Sequence, residues 1–240
     1  MRIHSNMKMA DLVEVNFEIL EVIQRLQIPF GFKDKTIDKV CKENNIEVLF
    51  FLQLAQWFIE RENFPQEELM QGHPNLLITY LHNTHKCYLE HQIPRIEQEI
   101  KNLEKETELP GESVQLMIKF FKEYINEFTD HLKDEEEITF PYIQALEKAN
   151  RGELALSDFN KKYKNYSIDK YLANHSNLEE KIVDLQSILL KYMPPPVNNC
   201  KFTNLLLEIY RLGKDLKDHT LLEENVLIPK VRHMEIQLKK

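Results

Sequence analysis

The stretch His131-Leu-Lys-Asp-Glu135-Glu-Glu-Ile-Thr-Phe-Pro141 returns in outline as His219-Thr-Leu-Leu-Glu223-Glu-Asn-Val-Leu-Ile-Pro229. In both, a glutamate follows the histidine by four residues and a proline follows the glutamate by six. Positions i and i+4 share one helix face, so each stretch presents an imidazole and a carboxylate together. One such pair is ordinary on an exposed helix. Two with the same tail, each on a stripe that otherwise reads as core, predict a shared role in holding a metal, each from one side.

Outward from these motifs, four long segments are periodic at helical spacing, at roughly 74–107, 111–148, 166–192 and 200–238. The first carries Leu81, His85, Leu89, Ile93 and Ile96. The second carries Phe121, Tyr124, Phe128, His131, Glu135, Ile138 and Tyr142. The third carries Tyr171, His175, Leu178 and Ile182, and the fourth Leu212, Leu216, His219, Glu223 and Val226. Amphipathic helices of this length with short joins predict an all-α four-helix bundle over 73–240. Pro110-Gly111 and Pro194-Pro-Pro196 mark two joins, because proline cannot continue a helix interior. The longer join, about 149–165, is polar and is expected to run over the surface. Ahead of the bundle, residues 1–65 read as a small helical domain. In it Leu12, Val15, Ile19, Ile23 and Leu26 form one stripe, and further helices fall around 35–43 and 46–59. The bundle's halves echo one another: Tyr80-Leu81 precedes His85 as Tyr171-Leu172 precedes His175, and each half ends in His-x3-Glu.

Only five glycines in 240 residues favour helices over turn-rich β structure. A net charge of −8 argues against a partner bound through its phosphate backbone. Cys41, Cys87 and Cys200 are far apart and form no Cys-x-x-Cys pair, which excludes a thiolate zinc motif and fits a reducing compartment. The N-terminal stretch lacks the apolar core of a leader, and the greasiest run, 46–59, is too short to span a bilayer and is broken by Glu47, Gln53 and Gln56. The expectation is a cytoplasmic protein without membrane or nucleic-acid partners.

Six polar residues are misfits on the core stripes: His85, His131, Glu135, His175, His219 and Glu223. Burying a lone ionisable group costs several kcal/mol or more, so six of them need a common partner. A pair of divalent ions, bridged by the carboxylates and by an oxo or hydroxo group, supplies it. Imidazole and carboxylate donors without thiolate suit iron or manganese better than structural zinc. The alternative is a helical interaction module without metal, whose four imidazoles and two carboxylates could neutralise one another only by taking up protons.

These motifs, with the isolated His85 and His175, resemble the hemerythrin-like (HHE cation-binding) family. Within it the chain is most similar to the bacterial di-iron proteins that repair iron–sulfur clusters. The Tyr192-Met-Pro-Pro-Pro-Val197 link and the Leu222–Pro229 tail also resemble theirs. The resemblance implies a hemerythrin-like bundle preceded by a small helical domain. It implies two iron ions, manganese or zinc being weaker fits, with His85, His131, His175 and His219 as ligands and Glu135 and Glu223 as bridges. Its small-molecule partner would be oxygen or nitric oxide, and its protein partners iron–sulfur proteins. The repair proteins have a further histidine ligand near the end of the first helix, where this chain reads Leu103-Glu-Lys-Glu-Thr-Glu108. Glu104, Glu108 and His82 are the candidates to replace it, and a site one ligand poorer is the alternative. The repair proteins' Cys-Cys-Gly-Gly turn is here Pro29-Phe-Gly-Phe-Lys33, with only Cys41 downstream.

The remaining misfits have plain readings. His4, His73, His91 and His233 are expected at the surface or as caps. The run Asp134–Glu137 reads as a solvated face on which only Glu135 has the inward register. Tyr124, seven residues before His131, is expected in the core near the site, able to bond an iron-bound ligand, and Cys87 is expected to be structural. The activity expected is redox chemistry in cluster repair or in the response to nitric oxide and oxidative stress. The alternative is a sensor or carrier that binds a diatomic molecule reversibly.

Overall fold

Proline spacing and apolar stripes together decide where each helix runs. A computed structural model describes residues 2–106, 112–174, 178–192 and 199–238, with the backbone alone described at 103–106, 112–114, 174, 192 and 199. The N-terminal helices are α1 (Met9–Val15), α2 (Ile19–Arg25), α3 (Ile37–Glu43), α4 (Val48–Glu60) and α5 (Gln66–Gln71). Four long helical runs follow. The first comprises α6 (Pro74–Cys87), a π-helical turn π1 (Tyr88–Gln92) and α7 (Ile93–Glu106). The second comprises α8 (Glu112–Asp134), π2 (Glu135–Thr139) and α9 (Phe140–Asn150). After a short α10 (Leu156–Tyr163), the third is α11 (Ile168–Asn174) with α12 (Leu178–Tyr192). The fourth is α13 (Asn199–Leu222), π3 (Glu223–Leu227) and α14 (Ile228–Leu238). No strand occurs among the described residues; the one extended pairing is an isolated bridge between Lys8 and Thr36. The described residues are all-α and built on four long helical runs, as the periodicity predicts.

The three π-turns have a cause that is legible in the chain. Pro94, Pro141 and Pro229 each stand six residues after the first residue of one of them. Proline has no N–H to donate, and its ring crowds the carbonyl four residues back. The helix responds by widening: the amides of Ile93, Phe140 and Ile228 donate to the carbonyls five residues back, on Tyr88, Glu135 and Glu223. Such a turn inserts one residue and rotates everything after it by about 100°. Ile138, expected on the inward stripe, is therefore 45% exposed, and Thr139 takes the interior at 3%. In the first run Tyr88, which opens π1, is fully buried and Leu89 only partly.

The join at 149–165 is also more than a polar surface excursion. It holds α10, whose Phe159 is buried against Tyr142 at 5.6 Å between ring centroids. Tyr163 crosses Tyr142 edge-on at 5.1 Å and donates to the Pro141 carbonyl at 3.2 Å. Two aromatic residues four apart suffice to anchor one short amphipathic helix in an otherwise polar stretch.

The chain divides into two compact units: Met1–Thr84 with Ile143–Leu156 and Leu222–Lys240, and His85–Tyr142 with Ser157–Leu221. The second unit holds the bundle core, to which all four runs contribute. Ile96, Phe128, Ile182 and Ile209 represent the four, each at most 1% exposed. In the first unit Met9, Leu12, Ile19, Ile37, Phe51 and Leu54 make a core of their own. There the buried Arg25 donates to the Tyr80 hydroxyl at 3.2 Å, and the Asn83 amide donates to the Arg25 carbonyl at 2.7 Å. The Lys230 ammonium donates to the Met70 and Gly72 carbonyls at the C-terminal end of α5, where a cation suits the helix dipole.

Candidate metal centre

Three of the motif residues converge inside the second unit. His85 lies in the last turn of α6, Glu135 opens π2 and His219 lies in the last turn of α13; each offers a ligand atom within 4.8 Å of the others. They are buried, at 1%, 0% and 6% exposure. The two histidines face each other through their Nε2 atoms at 2.8 Å, and His85 Nε2 is 3.3 Å from Glu135 Oε2. Glu135 Oε1 points the other way, to His131 Nε2 at 2.8 Å. One carboxylate thus spans two imidazole groups, its Oε2 toward His85 and its Oε1 toward His131.

Two further side chains complete this cluster. The carboxylate of Glu136 accepts from His85 Nδ1 at 2.6 Å, which leaves Nε2 as the inward-facing nitrogen. The phenol of Tyr171 donates to Glu135 Oε1. Phe140 stacks on the His85 ring at 5.5 Å and 10° between planes, closing one face against water. Burial by itself would lower the pKa of His85, yet Glu135 and Glu136 outweigh it and raise the value. Burial would likewise raise Glu135, but His131 and His85 hold it well below the usual carboxylate range.

Glu136 does not belong to a wholly solvated face. It follows Glu135 within π2 and faces another way, so the two carboxylates meet the two different nitrogens of one imidazole. Asp134 and Glu137 are exposed, as expected. Glu223 is buried at 2%, opens π3, and stands one turn beyond His219 on an uninterrupted helical run. His82 is half-buried on α6. Glu104 lies on α7 with its side chain outside the described residues, and His175 and Glu108 lie outside them altogether. Tyr124 is buried in the bundle core, stacked on Phe128; Phe128 meets Tyr88, and Tyr88 meets His219. Burial, with Glu179 nearby, pushes the Tyr124 phenol up. His4, His91 and His233 are exposed, whereas His73 is half-buried and pairs with Glu147 at 2.7 Å. Sequence reasoning missed Glu136 and Tyr171 as site residues. The signal for Tyr171 was present, since it stands four residues before His175 on the same stripe.

The donor set fits a cation. Two imidazole nitrogens facing each other at hydrogen-bond distance share at most one proton between them. A metal ion accepts both lone pairs and the adjacent carboxylate oxygen at once. The Nδ1–Glu136 bond is the outer support that metal-binding histidines commonly have. Nothing in the cluster is a thiolate, and the nearest aromatic walls exclude solvent without competing for the ion. A family model for the hemerythrin HHE cation-binding domain matches residues 77–231, well over half of the chain. Among curated proteins none matches it. The motif, the buried His and Glu cluster and the family match agree, and the chain belongs to the hemerythrin HHE cation-binding family.

Proposed function

We propose that this is a non-haem di-iron protein of the iron–sulfur cluster repair type, active in the response to nitric oxide or oxidative stress. The observation that carries the reading is the buried meeting of His85, Glu135 and His219, with Glu135 reaching on to His131. The duplicated motif extends the ligand set to Glu223, the counterpart of Glu135, and to His175. Glu104, Glu108 and His82 remain the candidates for a further ligand. The proposal keeps the division into a small helical domain over 1–65 and a bundle over 73–240. Iron is preferred to manganese or zinc because the donors are imidazole and carboxylate.

Bound iron would supply one-electron redox chemistry and an open position for oxygen or nitric oxide. The chain's own contribution is local. Glu136 keeps the His85 proton on Nδ1, so that Nε2 offers its lone pair inward. Glu135 brings negative charge where a cation would sit, its pKa held down. Phe140 and Tyr88 line the imidazoles with apolar surface and keep bulk water out. The partners proposed are a diatomic molecule and damaged iron–sulfur proteins, met in the cytoplasm.

The test begins with metal content per chain after purification without oxygen, beside Glu135→Ala/Glu223→Ala. About two irons per chain in the wild type, lost in the double variant, support the site. Nitric oxide consumption or cluster restoration that disappears in His131→Ala supports the repair activity. A wild type that takes up no ferrous iron overturns both.

One observation favours a second reading, reversible sensing of oxygen or nitric oxide. Cys41, the cysteine nearest to the turn that carries thiols in the repair proteins, is fully buried. Burial, with Asp38 nearby, pushes its thiol up to about 12. Tight diatomic binding without turnover would decide for that reading.

A further inference from the structure

We infer that Tyr171 is a positioning residue that holds Glu135 across the two imidazole groups and so sets the affinity of the metal position on the His131 side. The inference rests on the metal-binding reading above and names a residue that the ligand motif does not contain.

Glu135 is fully buried, and a buried carboxylate can turn about its terminal torsion unless its oxygens are separately held. Here they are held differently. Oε2 lies on the side of His85, whose Nε2 also faces His219. Oε1 receives the Tyr171 hydroxyl as well as His131 Nε2. Once His131 gives its Nε2 lone pair to a cation, it no longer donates to Oε1. The Tyr171 hydroxyl comes from a different helix and can go on donating to Oε1 when His131 no longer does. It therefore keeps one lone pair of Oε1 engaged and leaves the other aimed at the His131 side.

Tyr171 can do this because of where it stands. It lies in α11, on the short segment before the His175 position, and is only half-buried, so its ring reaches the cluster from the edge. Glu135 opens π2 in the second run, so the Tyr171 hydrogen bond reaches it from another helix and constrains the carboxylate from outside its own run. A partner of this kind changes metal affinity by about 10- to 100-fold when removed.

The effect is selective by position, and that separates it from a general loss of packing. Metal-stripped wild type, Tyr171→Phe and Tyr171→Leu would be titrated with cobalt(II) without oxygen, following the visible absorption of the bound ion. Each variant would also be made in His131→Ala and His219→Ala backgrounds. The expected result is a step weakened about tenfold or more in Tyr171→Phe, retained in the His219→Ala background and absent in the His131→Ala background. Helix content and thermal midpoint of the Phe variant should match the wild type, since the ring is kept.

Four outcomes overturn the inference. Tyr171→Phe could titrate like the wild type while Tyr171→Leu weakens, which would make the ring a packing group only. The loss could be equal in both histidine backgrounds, or appear only together with reduced helicity. A wild type that binds no cobalt would overturn the metal-centre reading itself, and this inference with it, so the two failures are told apart in the first arm.

Discussion

Glu136 shows how much one side chain decides. Its carboxylate fixes the tautomer of His85 from the outer edge of the ring, at 2.6 Å. Glu136→Gln keeps size and polarity but removes the charge that favours a proton on Nδ1. Metal affinity is expected to fall about 10- to 100-fold, with little change in helix content, as read by metal titration beside circular dichroism. Cys41 gives a pH prediction. Its thiol is pushed up to about 12, first by burial and second by Asp38, against roughly 8.5 in an unfolded chain. The folded state holds this proton more tightly, so the contribution to stability is complete below about pH 8.5 and is lost as pH rises toward 12. Urea unfolding should therefore show wild type losing stability relative to Cys41→Ala between those limits. An unchanged difference would show that the thiol does not titrate differently on folding.

At the scale of the element, the π-turns govern the register. A regular helix from Glu135 would keep both 138 and 139 near its face, at i+3 and i+4. The proline at 141 forces the wider turn, which carries 138 outward and keeps 139 inside. Ile138→Lys is thus expected to change stability by no more than about 0.5 kcal/mol. Thr139→Lys should cost about 2 kcal/mol or more, because it buries an ammonium and removes the bond to the Tyr166 hydroxyl. Denaturant unfolding of the two variants would decide, and an equally large cost for Ile138→Lys would show that the second run has no π-turn at this place.

For the molecule as a whole, the site and the bundle core are parts of one energetic system. The cluster joins residues from the first, second and fourth helical runs, and Tyr171 adds the third. An ion bound there stabilises the folded chain by mass action, by about 4 kcal/mol at a thousandfold excess over its dissociation constant. Chelation should lower the thermal midpoint, and re-addition of ferrous iron should restore it. In Glu135→Ala the midpoint should not respond to metal. Phe128→Ala, deep in the core, should cost about 3–5 kcal/mol with or without metal.

What the chain determined by itself is the set of helices and the motif. Helix faces follow from spacing within a few turns, and so do the pairs His131/Glu135 and His219/Glu223, since i and i+4 are neighbours on any helix. The all-α fold, the four long runs and the N-terminal helices are legible for that reason. Tertiary structure alone decided which partners meet across helices. Nothing local says that Glu136 finds the outer nitrogen of His85, that Tyr171 finds Oε1 of Glu135, or that the polar join folds as α10. Those contacts depend on the rotation of each helix about its axis. That rotation is set by packing and, in three runs, by a π-turn that shifts the face by one residue. The prolines that cause the shift were in plain sight at 94, 141 and 229. Their effect on the faces appears only once the hydrogen bonds are followed five residues back instead of four.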